Sequence, residues 1–222
     1  MSEPIAEKQT LYLLRHGECE GGAILRGHSD VALTAKGWQQ MRTAAVKVPE
    51  VAEVISSPLR RCREFAKTLA TERGRTLTLD CGWRELGFGA WDGQPLAELW
   101  QQQAMGDWWQ DPWTHTPPGG EPLTAFEARL DAALGALLAR RVGTALIVCH
   151  GGGITHLLRR ALGLGPEASF YRRLLLPPAA LVQLDFYPQS AAYNSGGISH
   201  DSQSGKGELE NWLPSVNWPS GL

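Results

Sequence analysis

Four short pieces of this 222-residue chain hold side chains suited to chemistry. They are Arg15-His16-Gly17-Glu18, then Ser56-Ser57-Pro58-Leu59-Arg60-Arg61, then Glu85 with Gly87-Phe88-Gly89-Ala90-Trp91-Asp92-Gly93 behind it, and last His150-Gly151. An imidazole can attack, or carry a proton, near neutral pH. A guanidinium presents a planar fork of N–H donors to an oxyanion. A single histidine at a strand end is more often a satisfied structural residue than a nucleophile. An adjacent arginine and three further pieces in order reverse that balance for His16. Rival chemistries lack their motifs: the chain has no GxSxG and no GxxxxGK[ST], and His150 and His156 are six apart, the wrong spacing for a helical metal pair.

The elements that must position these pieces are short and alternate in type. Thr10 to Leu14 reads as a strand that ends at Arg15-His16-Gly17. Thr34 to Val48 reads as a helix capped by Thr34. Val51 to Ser56 is a second strand. It is followed by a helix running to about Glu72, with Ser57 at the cap and Pro58 at the first helical position. Thr76 to Leu79 makes a third strand and Leu123 to Arg140 an amphipathic helix. Thr144 to Cys149 is a nearly unbroken apolar run, as in a strand covered on both faces. His150 and three glycines follow it, then a helix from about Ile154 to Leu162. Ala180 to Phe186 is the last strand. The expected fold class is therefore α/β: a three-layer sandwich with a mostly parallel central sheet and helices on both faces. Ligands in such folds bind beyond the carboxyl ends of the strands, where His16 and His150 both lie.

Residues 1–189 read as one domain, with a Trp-rich helical and loop cap at about 82–122. Residues 190–222 read as a polar C-terminal tail, mobile in part, with Trp212 and Trp218 pinning it. Aromatics in such a cap usually form its small core; the alternative is that one or two line a pocket for a flat base.

Composition narrows the function. A net charge of −2 argues against a nucleic-acid partner. The N-terminus lacks the basic start and apolar core of a signal peptide. The most apolar stretch, Ala132 to Cys149, is interrupted by Arg140 and Arg141, so no membrane partner is expected. Cys19, Cys62, Cys81 and Cys149 form no CxxC pair, which predicts neither disulfides nor a zinc site and makes the cytoplasm the default. Oligomeric state, monomer or homodimer, is left open.

Taken together, the four pieces resemble the histidine phosphatase superfamily, the phosphoglycerate-mutase-like branch, from about Leu11 to Phe186. RHGE after a strand, SSPLRR about forty residues on, ExxxGxWDG and a late HGG form a specific set. Within the family the chain looks most like the α-ribazole phosphatases. The supporting segments are RGHSDVALTAKG (Arg26 to Gly37), FGAWDG (Phe88 to Gly93) and PPGGEP (Pro117 to Pro122). The resemblance implies a phosphomonoesterase that needs no metal or cofactor and acts through a phosphohistidine on His16. Arg15, His16, Arg61, Glu85 and His150 match the catalytic positions. Arg61 is chosen over Arg60 as the second residue after Leu59, since successive helical side chains point about 100° apart. Arg15, Arg61 and a protonated His150 would hold the phosphoryl oxygens, with Gly151 beside them. Glu85 would donate the proton to the leaving oxygen, in a setting made apolar by Trp83, Leu86 and Phe88. One departure stands out. Cys19 replaces the family's Thr, and Gly21-Gly22 stand where an Asn is expected. Arg26 and the backbone N–H of the loop at Gly22 are expected to compensate.

Overall fold

The computed structural model describes residues 8–189, 209 and 212–217. Gln9–Arg15 (β1), Glu53–Ser56 (β2), Thr76–Leu79 (β3), Thr144–Cys149 (β4), Leu181–Pro188 (β5) and Trp212–Asn217 (β6) join in one sheet ordered β3-β2-β4-β1-β5-β6. Strands β3, β2, β4 and β1 run parallel, and β5 is antiparallel to both of its neighbours. The apolar run of β4 belongs at the centre, because a strand with no polar alternation must be covered on both sides.

Alternation along β1 divides the core. Tyr12 and Leu14 face Ala35–Ala45 (α1) and Arg60–Glu72 (α2), packing with Met41 and Phe65. Leu11 and Leu13 face the other way. They join residues of Leu123–Ala139 (α5) and Gly151–Ala161 (α6), among them Leu130 and Leu157. Between β3 and α5 lie 3-10 turns at Cys81–Trp83 and Gly89–Trp91 and two short helices, Leu96–Leu99 (α3) and Gln103–Gln110 (α4). This is the Trp-rich cap. Trp83, Trp91 and Trp108 are buried in the α5-side core, whereas Trp100 and Trp109 are exposed. A further short helix, Ala168–Arg173 (α7), follows α6. None of the described helices is long and apolar enough to cross a membrane.

Thr34 caps α1 as expected, accepting from Gly37 N at 2.9 Å. Three local expectations are corrected. Helix α2 starts at Arg60, and its first N–H is taken by Asp30 Oδ1 at 2.5 Å, so Ser57 is not its cap. Helix α6 starts at Gly151: the three glycines that read as a turn form its first turn, with His150 as N-cap. Part of the segment read as a tail is the strand β6, because Trp212 finds apolar cover, with the Arg141 guanidinium 5.9 Å from its ring centre. Trp218 lies outside the described residues.

Candidate active site

Strand register creates the site. In the parallel pair β1 and β4, Arg15 lies opposite Cys149, so His16 and His150 leave the sheet at the same level. His16 N donates to Cys149 O at 3.0 Å. The two imidazole centres are 5.4 Å apart, with planes at 61°. Residues 134 positions apart in sequence thus meet at the carboxyl ends of adjacent strands, where α/β sheets place ligands.

His16 is 8% exposed, and its Nδ1 lies 2.9 Å from Gly17 O. A carbonyl only accepts, so Nδ1 carries the proton and Nε2 keeps its lone pair. Burial, then the positive charge of Arg61, and to a lesser degree those of Arg15 and Arg26, push the ring down to about 3, against the pull of the Gly17 carbonyl. The ring is therefore neutral at neutral pH. Cys19 Sγ sits 3.3 Å from both Nδ1 and Gly17 O.

His150 is almost wholly buried. Its Nε2 lies 2.8 Å from Ser57 Oγ, and that oxygen also accepts from Leu59 N at 3.3 Å. The sequence reading asks for a protonated His150. In the structure burial above all, and then Arg61, His16 and Arg15, hold its pKa well below the ordinary value. The nearest charges are positive, so a second proton is opposed unless an anion arrives. Ser57 is a residue that sequence reasoning assigned elsewhere, to the helix cap. Its freedom from capping lets it face His150.

Of the two arginines at the start of α2, Arg60 is exposed and pairs with Glu64 at 2.7 Å, whereas Arg61 is fully buried. Arg61 Nη1 donates to Ser29 O at 2.9 Å and Nη2 to Gly27 O at 2.7 Å. That loop is held from its other side by Asp92. The Asp92 carboxylate accepts from Gly27 N at 3.1 Å, Ser29 N at 3.0 Å, His28 N and Ser29 Oγ. Asp92 belonged to a motif the sequence displayed, but its task became visible only here. Arg15 donates through Nη1 to Leu176 O. Arg26 directs its Nη groups to Glu20 O at 2.9 Å, Ile24 O at 3.3 Å and Gly22 O. Gly22 therefore offers Arg26 its carbonyl, and the cavity wall here is Ile24, Leu25 and Arg26. Buried Nε groups of Arg15, Arg26 and Arg61 have no partner among the described residues.

Glu85 is 9% exposed. Its Oε1 accepts from Leu86 N at 2.9 Å and its Oε2 from Gly152 N, in the first turn of α6, at 3.1 Å. This contact explains the glycine: a Cβ at 152 would lie 2.4 Å from Glu85 Oε1. At Gly151 there is no such clash: a Cβ there would meet Arg15 Nε at 3.4 Å, an ordinary contact. His28 approaches Glu85 O with its Nε2 at 2.9 Å. His115 stays on an exposed loop, bonded to Asp111 O. Buried His156 bridges Glu127 and Asp131 at 3.3 and 2.8 Å, outside the cavity.

Arg15, His16 and Glu85 open on one cavity of about 400 Å³, while the fully buried Arg61 and His150 stand behind His16 and outside the cavity lining. Its floor holds Arg15, His16, Glu85, Gly151 and Gly152; its walls include Phe88, Trp108, Trp109, Phe126 and Tyr171. Trp108 stacks edge-on against Phe88 at 5.6 Å and Trp91 at 6.2 Å. Cap tryptophans thus serve both core and pocket. Arg15, Arg26 and Arg172 in the lining, against the single acidic side chain Glu85 and a neutral His16 ring, leave local positive charge that suits a small dianion.

A family model, the histidine phosphatase superfamily (branch 1), matches residues 11–196. "Probable phosphoglycerate mutase GpmB" of Yersinia pestis is 33% identical over 198 residues, 85% of this chain and 89% of that protein. A mycobacterial glucosyl-3-phosphoglycerate phosphatase superposes with a TM-score of 0.77 at 23% identity, covering 97% of this chain and all of its own. The α-ribazole phosphatase of Shigella flexneri gives 0.70 at 23% identity, covering 79% of this chain and 90% of that one. At such identities the two structures establish the shared fold.

Proposed function

Because this chain belongs to the histidine phosphatase superfamily (branch 1), we propose that it hydrolyses a phosphomonoester through a transient phosphohistidine on His16, with α-ribazole 5′-phosphate as its substrate. The family makes the chain a phosphatase. The observation that carries the reading for His16 is its geometry. The ring is neutral and 5.4 Å from that of His150, and Gly17 O holds its Nδ1 proton so that Nε2 is free to attack.

Nε2 forms the N–P bond as the P–O bond to the alcohol breaks. Arg15, Arg61 and His150 take up charge on the three equatorial oxygens, which is most of the catalysis available to a loose phosphoryl transfer. The arriving dianion offsets the arginines that hold His150 neutral, so that ring can then gain a proton. Glu85 gives its proton to the departing oxygen. It then takes one from water, which attacks phosphorus and restores the neutral ring and inorganic phosphate. The aromatic wall supports a leaving group with a flat, apolar face, as in a benzimidazole nucleoside, and a reaction in the cytoplasm during cobalamin assembly follows from that substrate.

One observation favours a second reading. Arg172 of α7 also lines the cavity, and a cation there suits an acidic leaving group such as a phosphoglycerate or its glycoside. The mutase form of this reading is disfavoured by the stretch Glu85 to Gly120, which has no Lys or Arg to grip a bisphosphorylated cofactor. A phosphate-release panel of α-ribazole 5′-phosphate, nucleotides, phosphoserine, sugar phosphates and 3-phosphoglycerate decides the substrate. Activity should survive EDTA, and a 32P-labelled, acid-labile phosphoenzyme should be trapped from wild type and be absent from His16→Ala. Full activity in His16→Ala ends the proposal.

A further inference from the structure

We propose that Arg129 of α5 is a positioning residue that holds the backbone of Glu85 and so sets where its carboxyl stands; this rests on Glu85 as the proton donor. The segment around Glu85 has little secondary structure. After the turn at Cys81–Trp83 it runs through Arg84 to Gly87 with no ladder to take up its carbonyls, and Glu85 and Leu86 are buried. Buried carbonyls need partners.

His28 Nε2, at 2.9 Å, is the nearer partner of Glu85 O, and Arg129 gathers that carbonyl together with those before it. Its Nη1 lies 3.2 Å from Cys81 O, 2.9 Å from Gly82 O and 3.2 Å from Arg84 O, and its Nη2 3.4 Å from Glu85 O. The other edge of the guanidinium grips Glu121, with Nε at 3.0 Å from Oε1 and Nη2 at 2.9 Å from Oε2. Glu121 then secures the far end of the segment. Its Oε2 accepts from Gly87 N at 3.2 Å, and its own N donates to Gly87 O at 2.7 Å. One fork and one carboxylate therefore clamp the chain on both sides of Glu85. A lysine could not replace that fork, since an ammonium is a compact point charge without a planar array of donors. Arg129 lies outside the cavity lining and its Nε, Nη1 and Nη2 are all bonded within the protein, so it acts through Glu85 and not on substrate.

The test compares kcat/KM for p-nitrophenyl phosphate, whose leaving group departs without a proton, with that for an alkyl phosphate, whose leaving group needs one. Arg129→Lys should lower the alkyl rate about tenfold, a fraction of what general acid catalysis supplies, and leave the nitrophenyl rate within about twofold. Glu121→Gln, a milder change that decides the matter if Arg129→Lys does not fold, should show the same selectivity. Equal losses on both substrates, or no loss on the alkyl one, overturn the proposal. Glu85→Gln is the reference. If it too strikes both substrates equally, the assignment of Glu85 is what has failed, and this inference falls with it.

Discussion

Replacing Gly152 by alanine tests the site where its packing is tightest. The added Cβ would lie 2.4 Å from Glu85 Oε1, 3.2 Å from Glu85 Cδ and 3.4 Å from Phe126 Cζ. Comfortable contact begins about 1 Å further out, so the carboxyl must retreat by about that distance. Retreat breaks its bonds to Gly152 N and Leu86 N, which stand at 3.1 and 2.9 Å. A misplacement of about 1 Å costs roughly 100-fold in rate, within the 100- to 10,000-fold that a positioned acid contributes. We therefore expect kcat/KM for an alkyl phosphomonoester to fall about 100-fold. The fold should survive: alanine is favoured over glycine in a helix by about 1 kcal/mol, which partly offsets the loss of the two hydrogen bonds. Phosphate release under limiting substrate, run beside thermal unfolding, separates the two effects. Wild-type turnover of the alkyl ester by a folded Gly152→Ala protein would refute the argument, because it would mean that catalysis is indifferent to where this carboxyl stands.

Stability should depend on pH through His16. Its folded pKa of about 3 lies below the unfolded value near 6.5, so the unfolded chain takes up the proton first as pH falls. The stability is present in full above about pH 6.5 and is lost toward pH 3, with about 2 kcal/mol gone at pH 5. His16→Gln should remove its share of that slope in denaturant melts between pH 7 and 5, leaving the share of His150, which burial also holds well below its ordinary value; an unchanged slope would contradict the shift. Ser57→Ala leaves His150 Nε2 without its 2.8 Å partner and should cost about 1–3 kcal/mol of stability together with a lower kcat; a neutral effect on both would remove Ser57 from the site. Asp92→Asn replaces a carboxylate that accepts three backbone N–H groups and one hydroxyl, loosening the loop whose carbonyls hold Arg61. Competitive inhibition by inorganic phosphate should weaken several-fold, roughly 1 kcal/mol of binding, and an unaltered inhibition constant would disconnect Asp92 from Arg61.

Much of the architecture was legible because its signals are local. The apolar run of β4, the Thr34 cap of α1 and the strand character of β1 and β2 each follow from a handful of neighbouring residues, and they place His16 and His150 at strand ends. Local signals also misled. Ser57-Pro58 has the form of a helix start, yet the helix takes its cap from Asp30, thirty residues away in sequence. Three glycines have the form of a turn, yet they are the first turn of a helix, and Gly152 is glycine because Glu85 occupies the space its side chain would fill. Trp212 opens a strand in a stretch whose Ser, Gly and Asn content masks it.

The sequence alone therefore determined which reactive groups exist and which element carries each of them. It could not determine how those groups face one another. The parallel register of β1 against β4 sets the 5.4 Å between the imidazoles, and register is chosen by packing across the whole sheet. The same holds for the arginines. Arg26, read as a substrate ligand, turns most of its donors to its own loop, and Arg129, unremarked in the sequence, gathers the carbonyls around Glu85. An arginine's partners are fixed by which unpaired carbonyls the folded backbone leaves within its reach, and those exist only once the chain has closed on itself.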